Sequence, residues 1–482
     1  MIRKGLAVAW ALLGTSLMLT GQERFRKIQP PPEPFQELRL PPIETSPLLE
    51  NKLRVSVVTR EKLPLMSLHL LFFDGESSSP VSAPGTATFA AHMLIRSTQL
   101  HSAPEIENMV DSIGGSLSVA VFEDFTIVAF YFLEDFLDQA LDLLSQLLLQ
   151  PNFTEKEIRS VKSLLSLDFL EMEKDPVFVA NRHLIRMEFE NHPYQNWGFP
   201  RDAVKNWNQK DLLDFFDRHY RPNNAHLILT GNTNLQNATR KVTHYLNTWR
   251  PRDFRATPFP PIPLPLKDKV CFIDVPLAKY CAISLGIQIP SALDLDPSAL
   301  AIVSQVLGGT ANSRLFMNLR ESKAYANYAY SKIEFYKTGG LFSAWARVAP
   351  EHVYPSVQEI LKEIRRIGKE PIAPSEIDQA RSYLIGNFPI FIERYDDFSE
   401  RISEITAFGW GSERWSKPYD LILLASPEKI FAAQKSLLQP SIIVIAGDKT
   451  TLMERLREFD SIDIYDSKGI LQYTMGRERS PS

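Results

Sequence analysis

Two kinds of apolar periodicity follow one another along this chain, and they do so twice in the same order. From Phe125 to Leu165 the sequence reads FTIVAFYFLEDFLDQALDLLSQLLLQPNFTEKEIRSVKSLL. Its first residues alternate as in a half-buried strand, a turn falls at Glu134-Asp135, and the next run repeats at helical spacing. Pro151 ends that helix, and a new one starts near Thr154. From Gly340 to Leu384 the order recurs in GLFSAWARVAPEHVYPSVQEILKEIRRIGKEPIAPSEIDQARSYL, with Pro371 in the place of Pro151. Thr154 and Ser375 are each placed to cap the helix that follows. Both halves close on an apolar strand that runs into glycine, AHLILTGNTN at Gly231 and SIIVIAGDKT at Gly447. An internal repeat of this kind predicts an α+β chain of two similar domains, each a mostly antiparallel sheet covered by helices.

Proline marks the boundaries. Residues 22–47 contain the run QPPPEPFQELRLPPIETSP and read as an extended leader, and residues 251–267 are too proline-dense for a helix or a central strand. The first domain is therefore expected at 48–250 and the second at 268–482. Residues 1–21 have the form of an export signal, with Arg3 and Lys4 ahead of an apolar run from Leu6 to Thr20. The same run read as an uncleaved anchor is the alternative; cleavage would leave an exported chain, periplasmic or extracellular, without a membrane span. With 53 Lys and Arg against 57 Asp and Glu, the net charge is -4 and no basic run stands out, which argues against nucleic-acid binding. The two cysteines, Cys271 and Cys281, flank a turn near Pro276. They read either as partners across a hairpin, which export would let oxidise, or as small apolar strand residues.

Chemistry enters with the stretch GTATFAAHMLIRST, from Gly85 to Thr98. Together with IENMVDSIGGSL, KDPVFVANRHLIRMEFENHPY, HYRPNNAHLILTGN and VLGGTANSRLFMNLRESKAYANYAYS, in that order, it resembles the pitrilysin/insulinase family of zinc peptidases, which includes the mitochondrial processing peptidases. The resemblance runs over nearly all of residues 48–475. It implies domains that form one half of a clam-like chamber, and an inverted motif H-x-x-E-H on a helix. In such a motif two histidines at i and i+4 share a helical face, the glutamate beside them acts as base, and a distant carboxylate completes the zinc site.

Position by position, the motif is degenerate here. Thr88 stands for the first histidine and Ala91 for the base, while His92 keeps the second histidine. Asp168, 76 positions beyond His92 (168 − 92), stands for the distal glutamate, one methylene shorter. Read without the resemblance, His92 is a packed helix histidine, Asp168 a solvated helix residue and His192 part of a loop turn. No catalytic or metal-ligating residue is assigned to this chain, and zinc is expected on a partner.

The resemblance also implies a substrate-holding arginine and, seven residues on, a tyrosine in the second half. Arg320 matches the arginine, and the tyrosine position falls on Asn327, with Tyr325, Tyr328 and Tyr330 beside it. A shift of one residue would let Tyr328 serve. Arg320 reads otherwise as half of a surface ion pair with Glu321 or Glu359. Gly308 and Gly309 match a glycine-rich segment near the substrate; no Gly-Lys-Ser/Thr follows, so they do not form a phosphate loop. The function expected is that of a non-catalytic substrate-binding subunit, paired with a homologous chain bearing the intact zinc motif, in a peptidase that degrades or processes peptides. The alternatives are an active metalloendopeptidase with an atypical site, and a stand-alone exported peptide-binding or assembly protein.

Overall fold

Each half contributes one sheet, and the two sheets share a plan. In the computed structural model, which describes residues 40–253, 259–411 and 413–476, the first sheet holds β1 (Glu44–Thr45), β2 (Arg54–Thr59), β3 (Leu65–Phe72), β4 (Ser116–Val121), β5 (Thr126–Leu133) and β6 (Ala225–Gly231). Their order is β1-β2-β6-β3-β5-β4. The second sheet holds β7 (Lys269–Asp274), β8 (Cys281–Ile289), β9 (Ala326–Tyr336), β10 (Gly339–Val348), β11 (Ile442–Gly447), β12 (Ser461–Tyr465) and β13 (Leu471–Gly476), in the order β13-β12-β7-β11-β8-β10-β9. Strands β2-β6-β3-β5-β4 of the first sheet thus recur as β7-β11-β8-β10-β9 of the second. Among the described pairs, β2–β6, β7–β11 and β7–β12 are parallel and the rest antiparallel. The halves are the two mostly antiparallel, helix-covered domains that the periodicity predicts. Segment 1–21, read as an export signal, and most of the leader lie outside the described residues, as do 254–258 of the proline-rich stretch. The leader's end pairs with β2 as an edge strand, and the described parts of 251–267 carry no helix or strand. Among the described residues no helix is long and apolar enough to cross a membrane.

The helices repeat as well. In the first half, α1 (Thr86–Leu94) lies between β3 and β4, and α2 (Leu137–Leu149), α3 (Glu155–Met172) and α4 (Pro176–Glu188) follow β5. In the second, α5 (Pro297–Gly308) lies between β8 and β9, and α6 (Val353–Lys369), α7 (Pro374–Phe391) and α8 (Tyr395–Ala407) follow β10. The last helix of each set crosses over. Val179, Ala180 and Leu184 of α4 pack on Cys271, Ile273, Ala282 and Val444 of the second sheet. In return α8 docks on the first sheet: His69 of β3 lies 2.8 Å from Asp396, and the Ser399 hydroxyl donates to Thr230 of β6. Each sheet buries one face under its partner's helix, so the halves interlock.

One of the two cysteine readings and one helix cap are corrected; both cysteines are buried strand residues. Cys271 and Cys281 do not face each other across a hairpin, because β11 runs between β7 and β8, and its Val444 is in register with both Cys271 and Ser284. Both thiols are free and buried, and burial pushes each up to about 12. Thr154 does stand at the cap position of α3, although its side chain makes no capping hydrogen bond, and Ser375 is not the cap of α7. That helix starts one residue earlier, at Pro374, a favoured first helical position, and Glu376 reaches back to accept from the Ala373 N–H at 3.2 Å.

Candidate functional site

Helix α1 begins at Gly85, whose φ of 86° and crowded surroundings both demand glycine: a Cβ there would lie 2.5 Å from the Trp207 ring. The first N–H groups of a helix need acceptors. Here Glu76, upstream of α1, supplies them, accepting from Gly85 N at 2.7 Å and Thr88 N at 3.0 Å. It also accepts from the hydroxyls of Ser79 at 2.5 Å and Thr88 at 2.7 Å. Burial outweighs these four bonds and raises the Glu76 carboxyl to about 7. The consequence for the motif is direct. Thr88, in the place of a metal-binding histidine, spends its side chain on anchoring the start of its own helix.

The other motif positions fit zinc no better. Ala91 is fully buried and presents a methyl group. His92 is half-buried at a cavity of about 350 Å³ walled by Arg96, Glu107, Asp111 and Leu117. Burial holds its pKa below the ordinary value, and the nearby charge of Asp168 partly offsets that. Asp168 is exposed on α3, close enough to be felt by His92, and no hydrogen bond joins the two among the described residues. Among those residues no three His, Cys, Asp or Glu side chains converge as a metal site would require. A catalytic zinc needs three protein ligands and an open position. An engaged threonine, a methyl, one imidazole and one exposed short carboxylate do not provide them. His192 is a turn residue, its Nδ1 accepting from Tyr194 N at 3.2 Å.

In the second half the matched residues lie around one aromatic side chain. Arg320 sits on the π-helical turn Met317–Ser322, its guanidinium carbon 4.8 Å from the centre of the Phe316 ring. Phe316 also meets Tyr330, ring centres 5.8 Å apart, and Tyr330 is 6.5 Å from Tyr328. Of the two ion pairs open to Arg320, the one with Glu321 is present at 3.6 Å. Glu359 is occupied instead by Lys323 and Asn318. An exposed pair at that distance adds little stability, so Arg320 keeps its donors for other use.

Asn327 and Tyr328 are both exposed although they are neighbours on a strand. The cause is a β-bulge: Tyr328 pairs with Arg347 and Ala326 with Val348, which leaves Asn327 as the extra residue. A bulge re-aims side chains and favours functional edges. It lets residue 328 present its ring to the face that residue 327 would otherwise own. Tyr325 does not join this face; it stacks on His352 at 4.8 Å. Gly308 serves close packing, since a Cβ there would sit 2.3 Å from Ser331 N of β9, and Gly309 abuts Gln305 of its own helix. Beyond them opens a cavity of about 430 Å³, lined by Gly309, Asn312, Tyr330, Glu376 and Tyr383. Neither Glu76 nor the bulge carried a short-range signal in the sequence.

Known proteins resemble this chain in sequence and fold. Residues 57–197 match the family described as insulinase (peptidase family M16), and residues 206–384 match that described as peptidase M16 inactive domain. The chain is 24% identical over 356 residues to a non-peptidase homolog, YmxG, of Helicobacter pylori, spanning 73% of this chain and 81% of that protein. It is 24% identical over 348 residues to the zinc protease PqqE of the same organism, spanning 70% and 78%. Among solved structures, a peptidase M16 inactive domain from Pseudomonas fluorescens superposes with a TM-score of 0.77 at 19% identity, covering 84% of this chain and 98% of that one.

Proposed function

The chain belongs to the insulinase family of peptidases, and from that premise we propose that it is a non-catalytic member, the substrate-binding subunit of a heteromeric peptidase. The observation that carries this reading is the state of α1: Thr88 is committed to Glu76, Ala91 can move no proton, and His92 is left with one exposed carboxylate nearby. A positioned general base is worth roughly 100- to 10,000-fold in rate, and this chain has none at that place. The partner would be a homologous chain with an intact H-x-x-E-H motif and the zinc, and the two would enclose the peptide in a chamber.

The part left to this chain is positioning. Arg320 offers a forked donor for a peptide carbonyl or carboxylate, and Tyr328 an exposed hydroxyl on the bulge. Fixing a peptide against a reacting group on another chain lowers the barrier without chemistry here. Export is part of the proposal and rests on Arg3, Lys4 and the apolar run Leu6–Thr20; amino-terminal sequencing of the protein recovered from the extracytoplasmic fraction would show residues 1–21 removed. The pairing itself is tested by mixing the purified chain with a homologue of intact motif from the same genome. A stable one-to-one complex in analytical ultracentrifugation is expected; two independent species at micromolar concentration would refute the pairing.

A further inference from the structure

Another cavity, of about 290 Å³, lies where the halves meet, between the turn joining β4 to β5, the end of β9, and α8. Its walls are aromatic. Phe122 and Phe125 stack with ring centres 4.5 Å apart, and Phe408 stands edge-on to Phe125 at 5.7 Å. Its polar groups are carboxylates, and most are spoken for. Asp124 accepts from Lys337 N at 2.7 Å and from the Tyr194 hydroxyl at 3.1 Å. Glu334 is paired with Lys332 at 2.9 Å, and Glu404 with Arg401. Two lining carboxylates remain. Glu123 is only 8% exposed, while Glu400, on α8, lines the same cavity from its exposed side; among the described residues neither receives a hydrogen bond or ion pair from another side chain. The Tyr336 hydroxyl, on a residue 2% exposed, also lines this space without a partner. The nearby cation Lys337 is turned away, its ammonium held by the carbonyls of Phe73 and Asp124.

A buried carboxylate among aromatic rings, with no cation paired to it, favours a positive charge beside it. We propose that this cavity binds the ammonium group of a small organic cation, held by Glu123 and Glu400 and faced by the rings of Phe122, Phe125 and Phe408. Ring faces and carboxylates both attract a desolvated ammonium, and a volume at the low end of ligand pockets suits an alkylammonium rather than a larger ligand. The inference is independent of the role proposed above. Burial, with help from Glu334 and Asp124 and against Lys332, raises Glu123 to about 8; partial burial, with Asp396, Asp397 and Glu404 and against His69, raises Glu400 as well. A bound cation favours the ionised carboxylate, so binding at neutral pH expels a proton and tightens as pH rises toward that value.

The test is titration calorimetry of the full chain with n-butylammonium chloride, against sodium chloride at equal ionic strength, at pH 6 and pH 8.5. One saturable site is expected, at least tenfold tighter at pH 8.5, with proton release at neutral pH. Glu123→Gln, isosteric with the protonated acid, and Glu400→Gln should each weaken binding at least tenfold with unchanged circular dichroism. A parallel titration with Nα-acetyl-lysine amide separates the sources: binding of both probes assigns the cavity to a peptide lysine, binding of butylammonium alone to a free amine. No saturable binding at pH 8.5 up to about 50 mM, far above the millimolar range that such a site should reach, overturns the proposal. So does wild-type affinity in Glu123→Gln.

Discussion

At the scale of residues, the structure explains why the degenerate motif is not one substitution from activity. Thr88 is built into the start of α1 through Glu76, and Ala91 lies in the core. Thr88→His with Ala91→Glu and Asp168→Glu should restore zinc binding, seen as one zinc per chain by elemental analysis. The same triple variant should be less stable without zinc than the native chain, because it buries a carboxylate and deprives Glu76 of the Thr88 hydroxyl donor. A folded triple variant with no zinc would mean that the motif positions are matched wrongly. In the complex, Arg320→Ala should lower catalytic efficiency about ten- to hundredfold, the effect of losing a charge-assisted bond of roughly 1.5–3 kcal/mol. Tyr328→Phe should cost less and Asn327→Ala nothing, since the bulge gives the face to Tyr328; the reverse order would return the role to Asn327. Glu188 provides a test of burial. Desolvation raises it to about 8, against the hydrogen bond that its carboxylate accepts from Ile442 N; the Gln288 amide donates to the Glu188 backbone carbonyl. A carboxyl raised above its unfolded value stabilises fully below about pH 4.5, and that contribution is lost as pH rises to about 8. Native stability should therefore fall across that window. Glu188→Gln should remove on the order of 2–4 kcal/mol of the fall in denaturant titrations at pH 5 and 8, since each tenfold change in proton affinity is worth about 1.4 kcal/mol. The motif positions were legible because i, i+3 and i+4 spacing is local. The Glu76–Thr88 bond was not, because a loop must fold back to make it.

At the scale of elements, periodicity foretold more than pairing. The strand-helix-helix order after β5 and after β10 was readable, and both second helices have 18 residues. Which strands lie side by side was not readable, since apolar runs such as β8 and β11 fit any central position; the cysteine hairpin failed for that reason. The cap at Ser375 failed because Pro374 is itself a good first residue. Two glycines separate packing from propensity. Gly308→Ala should destabilise by about 1–3 kcal/mol, as α5 would be pushed off β9. Gly386→Ala, inside α7 with nothing within 4 Å of its Cβ, should stabilise by about 0.5–1 kcal/mol. Thermal denaturation of both variants checks the contrast, and equal effects would contradict it.

At the scale of the whole molecule, the exchange of α4 and α8 means that neither sheet is covered by its own half alone. No sequence pattern announced this, because an amphipathic helix does not state which sheet it covers. Leu184→Ala, in α4 but packed against the second sheet, should cost about 2–5 kcal/mol, and amides of β6 and β11 should lose hydrogen-exchange protection together. Separate transitions for the two sheets would show that the halves fold independently. An interlocked frame suits a chain whose proposed task is to hold a peptide in place for chemistry performed elsewhere. That claim is most directly tested by the rate of peptide cleavage in three samples: this chain alone, a homologue bearing intact H-x-x-E-H alone, and their one-to-one mixture. The account predicts no cleavage by this chain, weak or no cleavage by the homologue, and a marked gain in the mixture that Arg320→Ala reduces. Zinc-dependent cleavage by this chain alone, or a mixture no faster than the homologue, would contradict it.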